Sequence, residues 1–171
     1  IEVFLINRQA VFSEDGQYRY VLSRDWGTGL CLTWVMLNPS RADATTDDHT
    51  IRKCLRYTQS WGYSGLVVVN LFAYISSEPY KLRLVSDPIG PENDEYLAKY
   101  LKVADRCLVA WGAVGDLPFM AERIRQVTPL LPAEALCLGY TKKGWPRHPS
   151  RAALDLPPRR YHSQYNCRDE E

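Results

Sequence analysis

The sequence predicts an α/β fold, a three-layer sandwich in which helices cover both faces of a mainly parallel central sheet. From residue 31 onward, short apolar runs of strand length alternate with segments of helical periodicity, as in successive βαβ units. The chain has 171 residues, 46% of them hydrophobic and 24% charged, which is typical of a single domain over residues 1–171. No run of about 18 apolar residues occurs, so we expect no membrane partner.

The strands are predicted from β-branched and aromatic runs that are bounded by turn residues. An N-terminal β-hairpin extension occupies residues 1–26, with its turn at 13–16. Four buried strands follow, at residues 31–37, 66–70, 107–111 and 135–138. The tail 157–171 is rich in proline and charge, and we expect it to be partly flexible.

Three helices are predicted between these strands. Apolar residues share one face of the first helix, which ends near Gly62, and Asp47 and Asp48 suit its N-cap and first turn. Pro91 suits the first residue of the second helix. A third helix covers residues 120–127 and ends near Pro129.

Charge and cysteine content exclude several classes of protein. The 21 basic and 20 acidic residues give a net charge of +1, which excludes a highly basic tail but allows a local basic patch. The five cysteines are odd in number and widely spaced, so we expect unpaired thiols, no zinc and a reducing cytoplasm. No resident metal and no cofactor are predicted.

Polar and aromatic residues follow the predicted buried strands. Asn38, Asn70 and Trp111 come at the ends of three of them, and His148 lies in the loop after the fourth. The carboxyl ends of parallel strands meet at one edge, so these residues should surround one cleft. An asparagine can recognise the edge of a nucleobase, and Phe72 or Trp111 could stack on its ring.

A cationic loop lies in the same region of the sequence. No acidic residue interrupts the set formed by Lys142, Lys143, Arg147 and Arg151, which could bind phosphate. The predicted partner is therefore nucleic acid or a nucleotide.

Each of these residues also has a purely structural interpretation. Asn38 could start a turn before Pro39, Asn70 could cap a loop, and His148 could lie on a surface loop. Phe72 and Trp111 could belong to the core, and the cationic loop could be a solvated surface. Convergence at one edge favours the functional interpretation, because unrelated loop residues should not all fall there.

Four short segments together resemble the uracil-DNA glycosylase superfamily. MLNPS at 36–40 is similar to the first motif of its single-strand-selective and mismatch-specific branches. VVNLF at 68–72 is similar to the strand with the base-recognising asparagine, and VAWG at 109–112 to a strand ending in Trp-Gly. HPS at 148–150 matches the final His-Pro-Ser motif. The resemblance implies a uracil-DNA-glycosylase-like fold.

The same resemblance implies roles for individual residues. His148 would donate a hydrogen bond to a base carbonyl, Asn70 would recognise the base edge, and Asn38 or Asp43 would hold the attacking water. Ser40 would lie beside the base, and Ser150 would join the cationic residues at phosphate. Two departures stand out: Asn38 replaces the aspartate of the strongest uracil glycosylases, and Ser40 replaces a glycine of the weaker branches.

A closer resemblance links most of the chain to a bacterial and phage family, domain of unknown function 1643. Five segments carry its pattern, namely MLNPSRADATTDD at 36–48, WGYSGLVVVNLF at 61–72, DPIGPEND at 87–94, Trp111-Gly112 and LGYTKKGWPRHPS at 138–150. This family implies no established activity.

Three functions therefore remain open at this stage. The leading hypothesis is a glycosylase-like enzyme that cleaves the N-glycosidic bond of a base, modified or not, in nucleic acid or a nucleotide. The second is a non-catalytic module that binds a nucleotide or single-stranded nucleic acid. The third is a metal-assisted nucleotide hydrolase or transferase that uses the acidic loop 43–49.

Overall fold

The computed structural model describes residues 6–113 and 118–163. Within them the chain forms a seven-stranded sheet and three α-helices. The strands are β1 (Asn7–Phe12), β2 (Arg19–Asp25), β3 (Cys31–Met36), β4 (Gly65–Asn70), β5 (Arg106–Val109), β6 (Leu136–Cys137) and β7 (Arg159–Arg160). The helices are α1 (His49–Ser60), α2 (Asn93–Val103) and α3 (Pro118–Val127). Short 3₁₀ helices occur at Pro79–Leu84, Thr128–Leu130 and Pro149–Arg151.

The sheet has the strand order β1-β2-β4-β3-β5-β6-β7. Its four inner strands are parallel, and they are β4, β3, β5 and β6 in spatial order. The remaining pairings, β1 with β2, β2 with β4 and β6 with β7, are antiparallel. The prediction of a parallel sheet therefore applies to the inner four strands, and the N-terminal hairpin continues the same sheet through β2.

Two hydrophobic clusters lie on opposite faces of the sheet. Alternate residues of β3 belong to different clusters, because successive side chains of a strand point to opposite faces of the sheet. Trp34 and Met36 join the cluster under α1, whereas Val35 joins the cluster under α2 and α3. The face under α1 also carries stacked rings, with the Trp34 and Trp61 centroids 6.2 Å apart.

Helix α1 begins at a capping side chain. Asp48 adopts extended backbone angles, and its carboxylate accepts a hydrogen bond from the Ile51 amide, so Asp48 is the N-cap. The helix buries Ile51, Cys54 and Leu55 against the sheet. The sequence predicts this helix and offers Asp47 and Asp48 for its start. The structure shows Asp48 as the cap.

Three local features differ from the sequence prediction. Helix α2 begins at Asn93 rather than at Pro91, which lies in the preceding turn. Residues 79–84, which the sequence predicts as part of a loop over 76–90, form a 3₁₀ helix. Strand β7 lies in the tail that was predicted to be flexible, and its two exposed arginines lack the apolar alternation that indicates a strand. The rest of the tail, 164–171, lies outside the described residues, as does Gly115, which the sequence predicts at the end of a turn over 112–115.

Four cysteines lie within the described part of the chain. Cys54, Cys107 and Cys137 are buried free thiols, and Cys31 is a partly buried one. Burial raises the pKa of the Cys107 thiol to about 12, so it stays protonated at neutral pH. Cys167 lies outside the described residues. Across residues 6–113 and 118–163, no helix is both long and apolar enough to cross a membrane.

Candidate functional site

A cavity of about 200 Å³ lies at the carboxyl ends of β3 and β4. The last residues of these strands, Met36 and Asn70, line it, as does the N-terminal turn of α1. Parallel sheets commonly bind ligands at this edge, where the loops leave a crevice. Asn38 and His148 line the same cavity. The structure thus brings together the three polar residues that follow separate strands in the sequence.

Asn70 lines this cavity and carries an unused hydrogen-bond donor. The residue is only 1% exposed, and its Nδ2 has no partner among the described residues. A buried amide without a partner is destabilising, typically by about 1–3 kcal/mol. An unpaired buried donor beside a cavity therefore makes Asn70 a candidate ligand-binding residue.

The backbone at Asn70 is fixed by two residues from the opposite face of the sheet. Asn93 Nδ2 donates to the Asn70 carbonyl at 3.0 Å, and Arg123 Nε donates to the Leu71 carbonyl at 2.7 Å. Arg123 also forms an ion pair with Asp94 at 2.7 Å. Asn93 and Asp94 belong to the DPIGPEND segment at 87–94. The sequence identifies this segment as part of a family pattern, but it does not predict that Asn93 contacts the Asn70 carbonyl.

Asn38 is held by its own amide group. Its Nδ2 donates to the carbonyl oxygens of Pro39 at 3.0 Å and Ser76 at 2.8 Å, which uses both amide protons. Its Oδ1 is therefore the polar atom that remains to accept a hydrogen bond from a ligand or a water. Ser40, two residues further on, also lines the cavity, and its hydroxyl lies 3.1 Å from that of Ser77.

The ring of His148 is oriented by the 3₁₀ helix that follows it. The Ser150 amide donates to Nδ1 at 3.2 Å, and the Ser150 hydroxyl lies 2.7 Å from the same atom. Nδ1 is thus an acceptor, and the neutral ring carries its proton on Nε2. Burial lowers the pKa of His148 to about 4, so at neutral pH the ring is an uncharged donor.

Two neighbouring elements fix the position of His148. Gly112 has φ of +84°, and a Cβ added there would lie 3.1 Å from the His148 Cβ. From α1, Lys53 Nζ donates to the Pro149 carbonyl at 2.7 Å and to the Ala152 carbonyl at 2.8 Å. The glycine of the Trp111-Gly112 pair therefore provides the space in which His148 packs.

The acidic loop contributes a different aspartate from the one predicted. Asp43 does not line the cavity, because its Oδ1 accepts bonds from the Thr45 and Thr46 amides within the loop. Asp48 does line it, while its carboxylate also accepts the Ile51 amide at 2.9 Å. In the sequence, Asp48 is a candidate helix cap and one of the acidic residues of the loop 43–49.

The other loop aspartate is paired with cations. Asp47 forms ion pairs with Arg8 at 2.8 Å and with Arg24 at 2.9 Å. Within residues 6–113 and 118–163, no group of three or more histidine, cysteine or acidic side chains could hold a metal ion.

The two aromatic residues predicted to stack on a base lie in the core instead. Phe72 is 2% exposed and packs against Phe119, with ring centroids 5.7 Å apart. Trp111 is 1% exposed and meets Tyr161 edge to face at 5.8 Å. Neither lines the cavity. Both residues follow apolar strands in the sequence. A residue in that position can pack in the core or stack on a ligand, and the sequence pattern is the same in both cases.

The cationic residues of the C-terminal loop lie in two places. Lys142 and Lys143 are exposed on a turn closed by the Tyr140–Pro146 bridge. Arg147 and Arg151 line a second depression of about 230 Å³, which His148 also lines. His148 therefore joins the cavity to a cationic surface, on which Ser150 is exposed too.

Among the cavity residues that the sequence does not predict, Arg19 is a buried cation. In the β1–β2 pairing Val11 faces Val21 and Phe12 faces Arg19, so Tyr20 has no opposite residue. Such a bulge turns the side chain beyond it to the other face of the sheet. Tyr20 and Val21 consequently share one hydrophobic cluster, and Arg19 lines the cavity.

A protein-family model matches most of the chain. The model of the family described as Protein of unknown function (DUF1643) matches residues 19–150, a span that begins at Arg19 and includes every cavity residue. No curated protein and no solved structure matches the chain. On the extent of this match, the chain belongs to the DUF1643 family.

Proposed function

We propose that the protein is a glycosylase-like enzyme, which binds a nucleobase of nucleic acid or of a nucleotide in this cavity and cleaves its N-glycosidic bond. The observation that carries the proposal is the meeting of Asn38, Asn70 and His148 in one cavity, with hydrogen-bonding atoms left unused. A flat ligand with carbonyl and N–H groups along its edge would satisfy those atoms.

The chemistry of His148 supports cleavage as well as binding. Breaking an N-glycosidic bond leaves negative charge on the departing base, and a fixed donor that meets this charge lowers the barrier. With Nδ1 occupied by Ser150, the Nε2–H of His148 is such a donor, and it is uncharged because burial lowers the pKa of the ring to about 4. It would stabilise the base anion by hydrogen bonding, without transferring its proton.

The attacking water needs an acceptor, and the cavity offers two. Asn38 Oδ1 could position the water, and the Asp48 carboxylate could accept its proton. We therefore place Asp48, rather than Asp43, among the candidate catalytic residues. Arg147 and Arg151 flank His148 and would bind the phosphates beside the base. The resemblance to the uracil-DNA glycosylase superfamily agrees with these roles.

The direct test is release of a free base. Single- and double-stranded oligonucleotides of DNA and RNA that carry uracil and a range of modified bases are incubated with the protein, and released base is identified by mass spectrometry. We expect release from at least one substrate, with an abasic site left at the same position. Absence of release from every substrate would contradict the enzymatic proposal.

A binding module without turnover is the second candidate. It is favoured by the commitment of the Asn38 amide to backbone carbonyls and by the capping role of Asp48, since both restrict their use in activating water. Equilibrium binding to the same oligonucleotides, weakened by Asn70→Ala and unaccompanied by base release, would identify this function.

A further inference from the structure

Three arginine side chains are buried in the described part of the chain, and one of them lacks an acidic partner. Arg19, Arg24 and Arg123 are 2%, 0% and 3% exposed. Arg24 forms an ion pair with Asp47 at 2.9 Å, and Arg123 forms one with Asp94 at 2.7 Å. Arg19 makes no ion pair with any residue in 6–113 or 118–163, and it is the one of the three that lines the cavity.

The hydrogen bonds of Arg19 are also incomplete. Its Nη1 donates to the Ala42 carbonyl at 2.8 Å, and its Nε is buried without a partner among the described residues. A buried guanidinium is normally paired with an anion, because desolvation of an unpaired charge is costly. Burial lowers the pKa of Arg19 only to about 10, so it remains a cation at neutral pH.

From these contacts we infer that the cavity binds an oxyanion group of its ligand, a carboxylate or a phosphate, against Arg19. This inference rests on the proposed function, since it specifies which bases or nucleotides the cavity accepts. A base with an acidic substituent would place that group beside Arg19, while its edge meets Asn70. Asn70, whose Nδ2 is unpartnered, lines the same cavity.

Asp48 places a negative charge in the same cavity as Arg19. Its carboxylate also lines the cavity, but it lies beyond ion-pair distance of Arg19 and accepts the amides of Arg41, Ala42 and Ile51. An incoming anion is attracted by Arg19 and repelled by Asp48. Asp48→Asn, which keeps an oxygen for capping α1, should therefore strengthen anion binding.

The experiment compares anionic ligands with neutral counterparts. Binding of 5-carboxyuracil and 6-carboxyuracil is measured by calorimetry against their own carboxamides, and binding of deoxyuridine monophosphate against deoxyuridine. We expect the wild-type protein to prefer the anion of at least one pair by about tenfold or more, the magnitude of one charged hydrogen bond. The carboxylate pairs and the phosphate pair distinguish a base substituent from a nucleotide phosphate.

Variants then assign the preference to Arg19. Arg19→Gln should abolish it, Arg19→Lys should retain part of it, and Arg56→Gln, which removes an exposed arginine of α1, should leave it unchanged. If Arg19→Gln does not fold, Arg19→Lys and Asp48→Asn still test the inference, the former by a reduced preference and the latter by an increased one.

Absence of a preference in every pair, or its persistence in Arg19→Gln, would overturn the inference. Base release from neutral substrates without an anion preference would overturn it while leaving the proposed enzyme intact. An anion preference without any base release would support the inference and contradict the proposed enzymatic activity.

Discussion

His148 is the residue whose protonation should be visible in the stability of the protein. Its folded-state pKa of about 4 lies below the ordinary value of 6.5, because burial desolvates the ring and the cations Lys53 and Arg151 lie near it. Between these pH values the unfolded chain binds a proton that the folded chain does not. The free energy of unfolding should therefore fall as the pH drops from 6.5 to 4.

This pH dependence is measured by urea unfolding of the wild-type protein and of His148→Asn. Asparagine keeps an acceptor for the Ser150 amide but does not titrate, so the difference between the two proteins isolates the histidine. We expect the wild type to lose more stability over this range. A ring that titrates near pH 6.5 in NMR spectra of the folded protein would show that burial does not hold His148 neutral.

At the same scale, replacing His148 and replacing Asn70 should have different effects on rate and binding. His148 acts on charge that develops during cleavage, so His148→Ala should lower the single-turnover rate by about 10²–10³ while substrate binding changes little. Asn70 contacts the base before and during the reaction, so Asn70→Ala should weaken binding and discrimination between bases as well as the rate.

The control for both variants is His162→Ala, which removes an exposed histidine outside the cavity. Its rate and affinity should equal those of the wild type. Small and equal effects of His148→Ala and Asn70→Ala on rate would remove His148 from catalysis and favour the binding module.

At the scale of elements, the loop after β5 and the 3₁₀ helix at Pro149–Arg151 meet through Gly112. Gly62, after α1, has the same φ of +84° as Gly112, but a Cβ there would meet no atom within 4 Å. Gly112→Ala and Gly62→Ala should thus share the backbone penalty of roughly 1–2 kcal/mol. Only Gly112→Ala should also displace His148, from whose Cβ the new Cβ would lie 3.1 Å away.

The comparison of these two glycine variants uses unfolding free energy and the NMR signals of the His148 ring. Both should be destabilised, but the ring signals should shift only in Gly112→Ala, and only that variant should have a lower single-turnover rate. Unchanged ring signals in Gly112→Ala would mean that the contact relaxes without moving the histidine.

Helix α2 should support the cavity from the opposite face of the sheet. Asn93→Ala removes the donors to the carbonyls of Asn70 and Leu71 and leaves both without that bond. We expect a loss of about 1–3 kcal/mol in unfolding free energy and a shifted Asn70 side-chain amide signal. Glu95→Ala, an exposed change on the same helix, should leave both measurements near the wild-type values. A loss of stability without a shift of the Asn70 signal would mean that Asn93 stabilises the fold but does not position the Asn70 side chain.

For the whole molecule, the sequence predicted the inner strands and the positions of polar residues at their ends, because periodicity and turn residues are local signals. Asn38, Asn70 and His148 could be placed on one edge from the direction of parallel strands alone. Arg19 could not, since its orientation depends on a bulge opposite Tyr20 that only strand pairing reveals. Phe72 and Trp111 have the same local pattern whether they pack in the core or stack on a ligand, and the pattern could not separate these roles.

The distribution of cations over the whole molecule predicts how nucleic-acid binding should depend on salt. The net charge is only +1, so long-range attraction to phosphate must come from local patches. Lys142, Lys143, Arg147 and Arg151 are all exposed, and the two arginines lie beside the cavity. Replacing all four with alanine should weaken binding to every oligonucleotide and flatten the salt dependence, by roughly 0.7 in the log–log slope for each phosphate contact to a single strand.

The matched control removes the same charge elsewhere, from the exposed residues Arg56, Arg83, Lys99 and Lys102. It should shift the affinity slightly through net charge and leave the slope nearly unchanged, because counterions are released only where phosphates bind. Binding isotherms between 50 and 200 mM salt, roughly the range over which such contacts lose most affinity, distinguish the two variants. Equal slopes in both would assign the interaction to net charge, and the loop would then be a solvated surface beside the cavity.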